Sequence, residues 1–302
     1  MKILVTGAWN CSEEQLNFIR AMGHDVCFLQ QEKDDLPCGA DEIEGVICNA
    51  LFLYHDIKTF KKLKFIQLTS AGLDRVPLDY INSHGIKIYN ARGVYSVPMA
   101  EYAVSGVLGL YKNSRFFYEN QKLKKWEKRR DLLELSGKTV LIVGCGSVGT
   151  ECAKRFKAFD CKVLGVDLYP FKNEFFSEIV EFNRLDEKLP QADVVVLTLP
   201  LTNETTGLFD AVRFKKMKNG AVLVNISRGA VVDEKALIKA VDDKLYGAVL
   251  DVFEEEPLNE NSPLWQKENV IITPHNSFIG DNNSERLNSV IMGNLRRYYE
   301  TN

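Results

Sequence analysis

The chain has 302 residues and a formal net charge of -3, with 45% hydrophobic and 26% charged residues. That length suits two domains of a globular protein, and the charge gives no reason to expect nucleic acid or an anionic membrane as partner. No apolar run approaches the ~20 residues of a membrane span, and seven cysteines without a CxxC or Cys/His spacing point to a reduced, cytoplasmic protein with no metal site.

The N-terminal third alternates short apolar runs with helical patterns. Strands are expected at 2–6, 25–29, 45–48, 65–68 and 86–89, with helices at 13–21, 56–63 and 77–84. Such alternation builds a parallel sheet with helices on its faces, here of flavodoxin-like type and without a glycine fingerprint. Ligands of such a sheet bind at the carboxyl ends of its strands. The turn Thr69-Ser70-Ala71-Gly72 follows one of these ends; it can cradle a carboxylate on backbone N–H groups or simply end a strand. Pro98 opens a helical pattern over 99–112 that connects this domain to the next. The lysines and arginines around Trp126 read as a solvated loop or helix face.

The rest of the chain is organised around 139–167. Thr139–Val143 is apolar throughout, as a strand covered on both faces should be. Gly144-Cys-Gly146-Ser147-Val148-Gly149 follows, then a helix, then a second strand ending on Asp167, eighteen residues past Gly149. Gly144 permits the tight turn, Gly146 lets the backbone approach a pyrophosphate, and Gly149 lets helix and strand pack closely. The helix N-terminus offers N–H groups to the phosphates, and Asp167 can accept from the adenosine ribose hydroxyls. Together they predict a dinucleotide site. Strands at 193–199, 221–225, 247–250 and 270–273 bring the total after Leu135 to six, with helices near 205–218 and 233–243, as in a Rossmann fold. Leu199-Pro200 and Ile226-Ser227, at strand ends, join the expected cofactor-binding set. The last helix, 283–299, is expected to return to the first domain. The domains are therefore 1–98 with 282–302, for substrate, and 99–281, for cofactor.

Three of these strands run into reactive residues: Arg228, the acidic segment Asp251 to Glu256, and His275. Reduction of a carbonyl needs a cation to polarise the oxygen and a proton donor. Arg228 can polarise and clamp a substrate carboxylate, His275 can give the proton, and Glu256 can orient His275 and favour its imidazolium.

Asn225-Ile-Ser-Arg228-Gly229, Asp251-Val-Phe-Glu-Glu-Glu256-Pro257 and Thr273-Pro-His275 resemble the D-isomer-specific 2-hydroxyacid dehydrogenase family. The resemblance implies catalysis by Arg228, Glu256 and His275 with NAD, and a place for Asp251 near the nicotinamide amide. It implies a carboxylate-binding turn at Ser70-Ala71-Gly72, a discontinuous substrate domain, and a homodimer through the helix matching 99–112. Tyr95 stands where many relatives have asparagine, and Asn276-Ser-Phe278 where many have two glycines, so both are expected to shape the substrate pocket. Two rivals are a nucleotide-sensing corepressor on the same fold and a formate dehydrogenase. Relatives of the latter kind carry glutamine in place of Glu256, which this chain does not.

Overall fold

The structure is a computed structural model that describes residues Met1–Thr301. In chain order its elements are β1 (Lys2–Thr6), α1 (Glu13–Ala21), β2 (Asp25–Leu29), β3 (Gly45–Cys48), β4 (Phe65–Leu68), α2 (Leu78–Ser83), β5 (Lys87–Tyr89), α3 (Ser96–Tyr111) and α4 (Ser114–Lys122). There follow β6 (Thr139–Val143), α5 (Ser147–Ala158), β7 (Lys162–Asp167), β8 (Glu178–Glu181), α6 (Leu185–Lys188), β9 (Val194–Leu197) and α7 (Ala211–Lys216). The last five are β10 (Val222–Asn225), α8 (Glu234–Asp243), β11 (Gly247–Leu250), β12 (Val270–Ile272) and α9 (Asn283–Thr301). No described helix is long and apolar enough to cross a membrane.

The chain divides into two compact units. One comprises Met1–Tyr95 with the segment from Gly280 onward, the other Ser96–Ile279. The first holds a five-stranded parallel sheet, β2-β1-β3-β4-β5. Alternate residues of β1 feed opposite faces: Ile3 and Val5 pack with Ile291, Leu295 and Tyr298 of α9, while Leu4 packs with Val46 and Ile66. Thus α9 covers the sheet formed by the other end of the chain. Ser12 starts α1 with a reciprocal capping box to Gln15, satisfying amide groups that the helix end leaves unpaired.

The second unit holds a seven-stranded parallel sheet, β12-β11-β10-β9-β6-β7-β8. Leu141 and Val143 face one core and Val140 and Ile142 the other, which is why β6 reads as unbroken apolar sequence. Strand order reverses beside β6, and a doubly wound sheet opens a crevice at that point.

Several expected elements differ. The seventh strand, β8, has the sequence EIVE; glutamates at both ends mask it, and they suit a sheet edge. The helix expected over 205–218 is only α7, because the Asp210 side chain accepts from the N–H groups of Val212 and Arg213 and starts the helix there. The residues before it are held to the following turn by Phe209 N–H donating to Val231 O. Over 56–63 there is one short turn, Ile57–Thr59; Phe60 and Leu63 are buried at helical spacing without a helix. α3 begins at Ser96, so Pro98 sits in its first turn, where its missing N–H has no bond to lose. α4 carries no expectation from the sequence; it ends at Lys122, where the basic stretch around Trp126 begins, and that stretch continues as turn and loop.

Candidate active site

The glycine turn follows β6 and opens α5. Gly144 has φ +96, and a Cβ there would stand 2.8 Å from Thr198 O. A Cβ on Gly149 would stand 2.1 Å from Gly144 O, so the helix can approach the turn only without one. A Cβ on Gly146 would meet nothing within 4 Å. That empty side, at a helix start with no side-chain cap, leaves room for an anion on the first-turn N–H groups. Ser147 and Val148 form that first turn. Thr198 was not expected here: its hydroxyl donates to Gly144 O at 2.5 Å and ties the end of β9 to the turn. Leu199 and Pro200 follow it directly, with Thr205 Oγ1 donating to Pro200 O at 2.7 Å.

Asp167 closes β7. One oxygen accepts from Cys145 N–H at 2.7 Å and the other from Tyr169 N–H at 3.0 Å. The carboxylate is thus fixed beside the glycine turn, with further lone pairs for ribose hydroxyls. These residues fit a dinucleotide.

β10, β11 and β12 lie side by side in register, Asn225 against Leu250 and Leu250 against Ile272. Their carboxyl ends therefore present Arg228, Asp251 and His275 at one sheet edge. At the first end, the Asn225 side chain gathers the turn: its oxygen accepts from Ser227 N–H and Oγ at 3.1 and 2.8 Å, and its amide donates to Arg228 O at 3.1 Å. Ile226 and Ser227 are buried in this turn, and the half-buried Arg228 donates through Nη1 to Ser227 O at 2.8 Å. Gly229 comes next. A Cβ there would fall 1.8 Å from the Phe253 carbonyl, so this glycine lets the Arg228 turn lie against the loop that carries Glu256.

His275 Nδ1 lies 2.8 Å from Glu256 Oε2, and Glu256 Oε1 accepts from Phe253 N–H at 3.1 Å. A carboxylate only accepts, so Nδ1 carries a proton and Nε2 is the nitrogen left to exchange one with a ligand. Both side chains are 37% exposed, open to a ligand from the sheet edge.

Asp251, only 1% exposed, anchors the histidine turn. Its carboxylate accepts from Asn276 N–H at 2.7 Å, Ser277 N–H at 2.9 Å and the Thr273 hydroxyl, while its carbonyl accepts from His275 N–H at 2.8 Å. Thr273 Oγ1 is also 2.7 Å from the Tyr102 hydroxyl. Since the threonine proton goes to Asp251, Tyr102 is the donor of that second bond. Burial raises the Tyr102 phenol above its usual range, which keeps it a donor. The serine in Asn276-Ser-Phe278 is thus a buried structural residue, and the His275 ring makes an edge contact with Phe278, centroids 6.1 Å apart.

In the unit that begins the chain, Ser70, Ala71 and Gly72 follow β4 as expected. Their carbonyls are held: Ala91 N–H donates to Ser70 O at 2.9 Å, Asn90 Nδ2 to Ala71 O at 2.7 Å and Ser70 Oγ to Gly72 O at 3.0 Å. The Tyr95 hydroxyl donates to Thr69 O, so Tyr95 braces the same turn.

A model of the family described as D-isomer specific 2-hydroxyacid dehydrogenase, NAD binding domain, matches residues 104–277. The chain is 33% identical over 280 residues to the D-3-phosphoglycerate dehydrogenase of Archaeoglobus fulgidus, with 91% of this chain and 53% of that protein covered. It thus spans about half the length of that relative. It is 35% identical over 256 residues to the glyoxylate reductase of Thermofilum pendens, covering 81% of this chain and 72% of the other. A solved D-isomer specific 2-hydroxyacid dehydrogenase family protein from Aeromonas salmonicida superposes with a TM-score of 0.85 at 31% identity, over 99% of this chain and 96% of that one. The unit built on β6–β12 is accordingly an NAD-binding domain, and the chain belongs to the D-isomer specific 2-hydroxyacid dehydrogenase family.

Proposed function

We propose that the protein is an NAD(H)-dependent oxidoreductase that interconverts small 2-oxo acids and D-2-hydroxy acids. The observation that carries this reading is the 2.8 Å pair of His275 and Glu256 at the sheet edge that also bears Arg228 and the glycine turn. Gly144, Gly146, Ser147, Val148 and Gly149 hold the pyrophosphate of NAD, Asp167 its ribose, and Leu199, Pro200, Ile226, Ser227 and Asp251 the nicotinamide side. Bound nicotinamide supplies or takes the hydride. Arg228 binds the substrate carboxylate and polarises the carbonyl oxygen. In reduction, Nε2 of His275 gives that oxygen its proton; in oxidation Nε2 takes it back. Glu256 holds the ring in the required tautomer.

Met1–Tyr95 with α9 forms the substrate domain in this reading. The N–H groups of Ser70, Ala71 and Gly72 serve the substrate carboxylate, with Tyr95 bracing their turn. The loop from Asn49 to Tyr54 presents Leu53 and Tyr54 at 62% and 58% exposure and contains no lysine or arginine. It favours an uncharged side chain, as in glyoxylate, hydroxypyruvate or a branched 2-oxo acid, over a phosphorylated one. The protein acts as a cytoplasmic homodimer paired through α3.

The test is a panel of 2-oxo acids with NADH and with NADPH. NADH-dependent reduction of unphosphorylated acids is the expected result. NADH binding without turnover of any acid would favour the corepressor reading. Comparable kcat/KM with NADPH would overturn the role given to Asp167, whose charge repels a 2′-phosphate.

A further inference from the structure

Away from all the residues assigned above, two cysteines meet. Cys27 Sγ on β2 lies 3.0 Å from Cys38 Sγ, eleven residues on, in the loop between β2 and β3. Both are free and half-buried. β2 is the edge strand of its sheet, and Cys38 is flanked by exposed Pro37 and Gly39, so small molecules can reach the pair. Bonded sulfurs stand ~2.0 Å apart, so about 1 Å of movement would join them. The other cysteines differ: Cys48, Cys145, Cys152 and Cys161 are buried, and Cys11 has no sulfur beside it among the described residues.

We propose that Cys27 and Cys38 are a dithiol site that small-molecule disulfides oxidise reversibly to an intramolecular disulfide. Cys38 lies in a loop between exposed Pro37 and Gly39 whereas Cys27 is on a strand, and burial, with a contribution from Cys38, pushes the Cys27 thiol up to about 12, so Cys38 is reached first and is the first nucleophile. Its thiolate attacks one sulfur of the small disulfide, forming a mixed disulfide and expelling one thiolate. With Cys38 in the mixed disulfide its charge is gone, and with it the hydrogen bond and repulsion that add to burial in holding the Cys27 proton, which passes to the expelled small thiolate. Cys27 attacks Cys38 Sγ and a second thiolate leaves. Two cysteine thiols and one small disulfide have become one protein disulfide and two small thiols. The two electrons lost by the cysteines reduce the small disulfide, and the two thiol protons end on its products.

The bond would close a loop around Glu32. The Glu32 carboxylate accepts from the N–H groups of Asn49 and Ala50, both at 2.6 Å, and from the Thr6 hydroxyl at 2.8 Å. Its carbonyl oxygen lies 2.9 Å from His55 Nε2. The cross-linked segment is therefore the one that fastens the Asn49–Tyr54 loop, and oxidation holds that loop more rigidly. Any consequence for substrate selection rests on the proposed function; the chemistry at the sulfurs does not.

The experiment treats the full-length reduced protein with oxidised glutathione, then counts thiols after denaturation and maps the peptides. Of the seven cysteines, five should stay titratable, with Cys27 linked to Cys38 and the link reversed by dithiothreitol. In Cys27→Ser the expected product is a lasting glutathione adduct on Cys38. Amide hydrogen exchange at Asn49 and Ala50 should slow on oxidation of the parent and not in treated Cys27→Ser. Seven surviving thiols, a different cysteine pair, or lasting adducts in the parent would overturn the site. Unchanged exchange at Asn49 and Ala50 in the cross-linked protein would overturn the coupling. Neither readout uses turnover, so failure of the proposed enzymatic activity would leave both standing as tests.

Discussion

His275 occupies the left-handed region at φ 50, a conformation that costs a non-glycine residue about 1–3 kcal/mol unless its surroundings impose it. Asp251 imposes it, by accepting from the N–H groups of His275, Asn276 and Ser277 in succession. The two carboxylates at the site thus have separate tasks: Asp251 shapes the backbone and Glu256 the ring. His275→Ala should lower the reduction rate by roughly 10²–10⁴-fold, the contribution of a positioned acid, with NADH affinity retained. Glu256→Gln should also be harmful, though less so, despite its shape. Both Glu256 oxygens accept, one from His275 and one from Phe253 N–H, and an amide has only one acceptor. The unmet donor costs about 1–3 kcal/mol, read as a roughly ten- to hundredfold loss in kcat, and rescue by Glu256→Asp should be incomplete because the chain is shorter. Arg228→Ala should raise KM and lower kcat together, since it removes a clamp and a polarising charge. Steady-state kinetics beside NADH fluorescence titration checks all three; a His275→Ala enzyme at parental kcat would refute the assignment.

At the scale of elements, the site depends on turns that lie against one another. Gly229→Ala would push a methyl group into the Phe253 backbone, so it should destabilise by about 1–3 kcal/mol or more and reduce kcat by moving the Glu256 loop. Urea denaturation and turnover measure the two effects. Asp193 makes a different joint. It accepts from Thr139 N–H at 2.9 Å and from Lys218 at 2.7 Å, joining the starts of β9 and β6. Burial raises its carboxyl, but Lys218 and the Thr139 N–H outweigh this and leave it below the usual carboxylate range. A depressed folded value gives stability that is present above the unfolded value, near 3.8, and is lost as pH falls through the folded one. Asp193→Asn should therefore cost about 1–2 kcal/mol at neutral pH, and the gap to the parent should close only as acid protonates Asp193 below that value. A gap that stayed constant into strong acid would show that the charge is not what matters. The sequence made visible the elements whose pattern is set by two-sided burial or by a glycine, such as β6, α5 and the ends of β10 to β12. It hid those set by partners distant in sequence. β8 reads as polar until β7 pairs with it, the helix before Gly220 is cut short by the Asp210 cap, and Thr198 and Tyr102 bear no local mark of the turns they hold. Asp251 was legible as a site residue but not as an anchor, because its donors follow it by 22 to 26 residues.

For the whole molecule, the open question on the surface concerns α3. Nine of its residues are buried in the NAD-binding domain, yet Glu101, Ser105, Leu108 and Lys112 recur at intervals of three to four along one face and line a groove of about 690 Å³ with Arg155 and Phe159. Beyond α4, Leu123 and Trp126 stand 61% and 96% exposed. A tryptophan carries about 150–250 Å² of surface, and leaving it in water forfeits the burial that large aromatic side chains usually provide. Exposed large apolar side chains of this kind suit an interaction face, and the homodimer proposed above gives the α3 groove an occupant in a second copy. In a twofold dimer each substitution is made twice across a self-complementary face. Leu108→Glu would then bring two like charges toward each other across the axis and remove two apolar side chains from the contact, and the Lys112 and Arg155 cations of the groove offset only part of that cost. The parent should sediment at about twice its 34.3 kDa chain mass, and Leu108→Glu near the single-chain value. NADH binding should survive in the variant, because Leu108 lies outside the glycine turn and the Asp167 strand end. A parent that sediments as a single chain at micromolar concentration would remove the dimer. A variant that still pairs would move the interface away from this face.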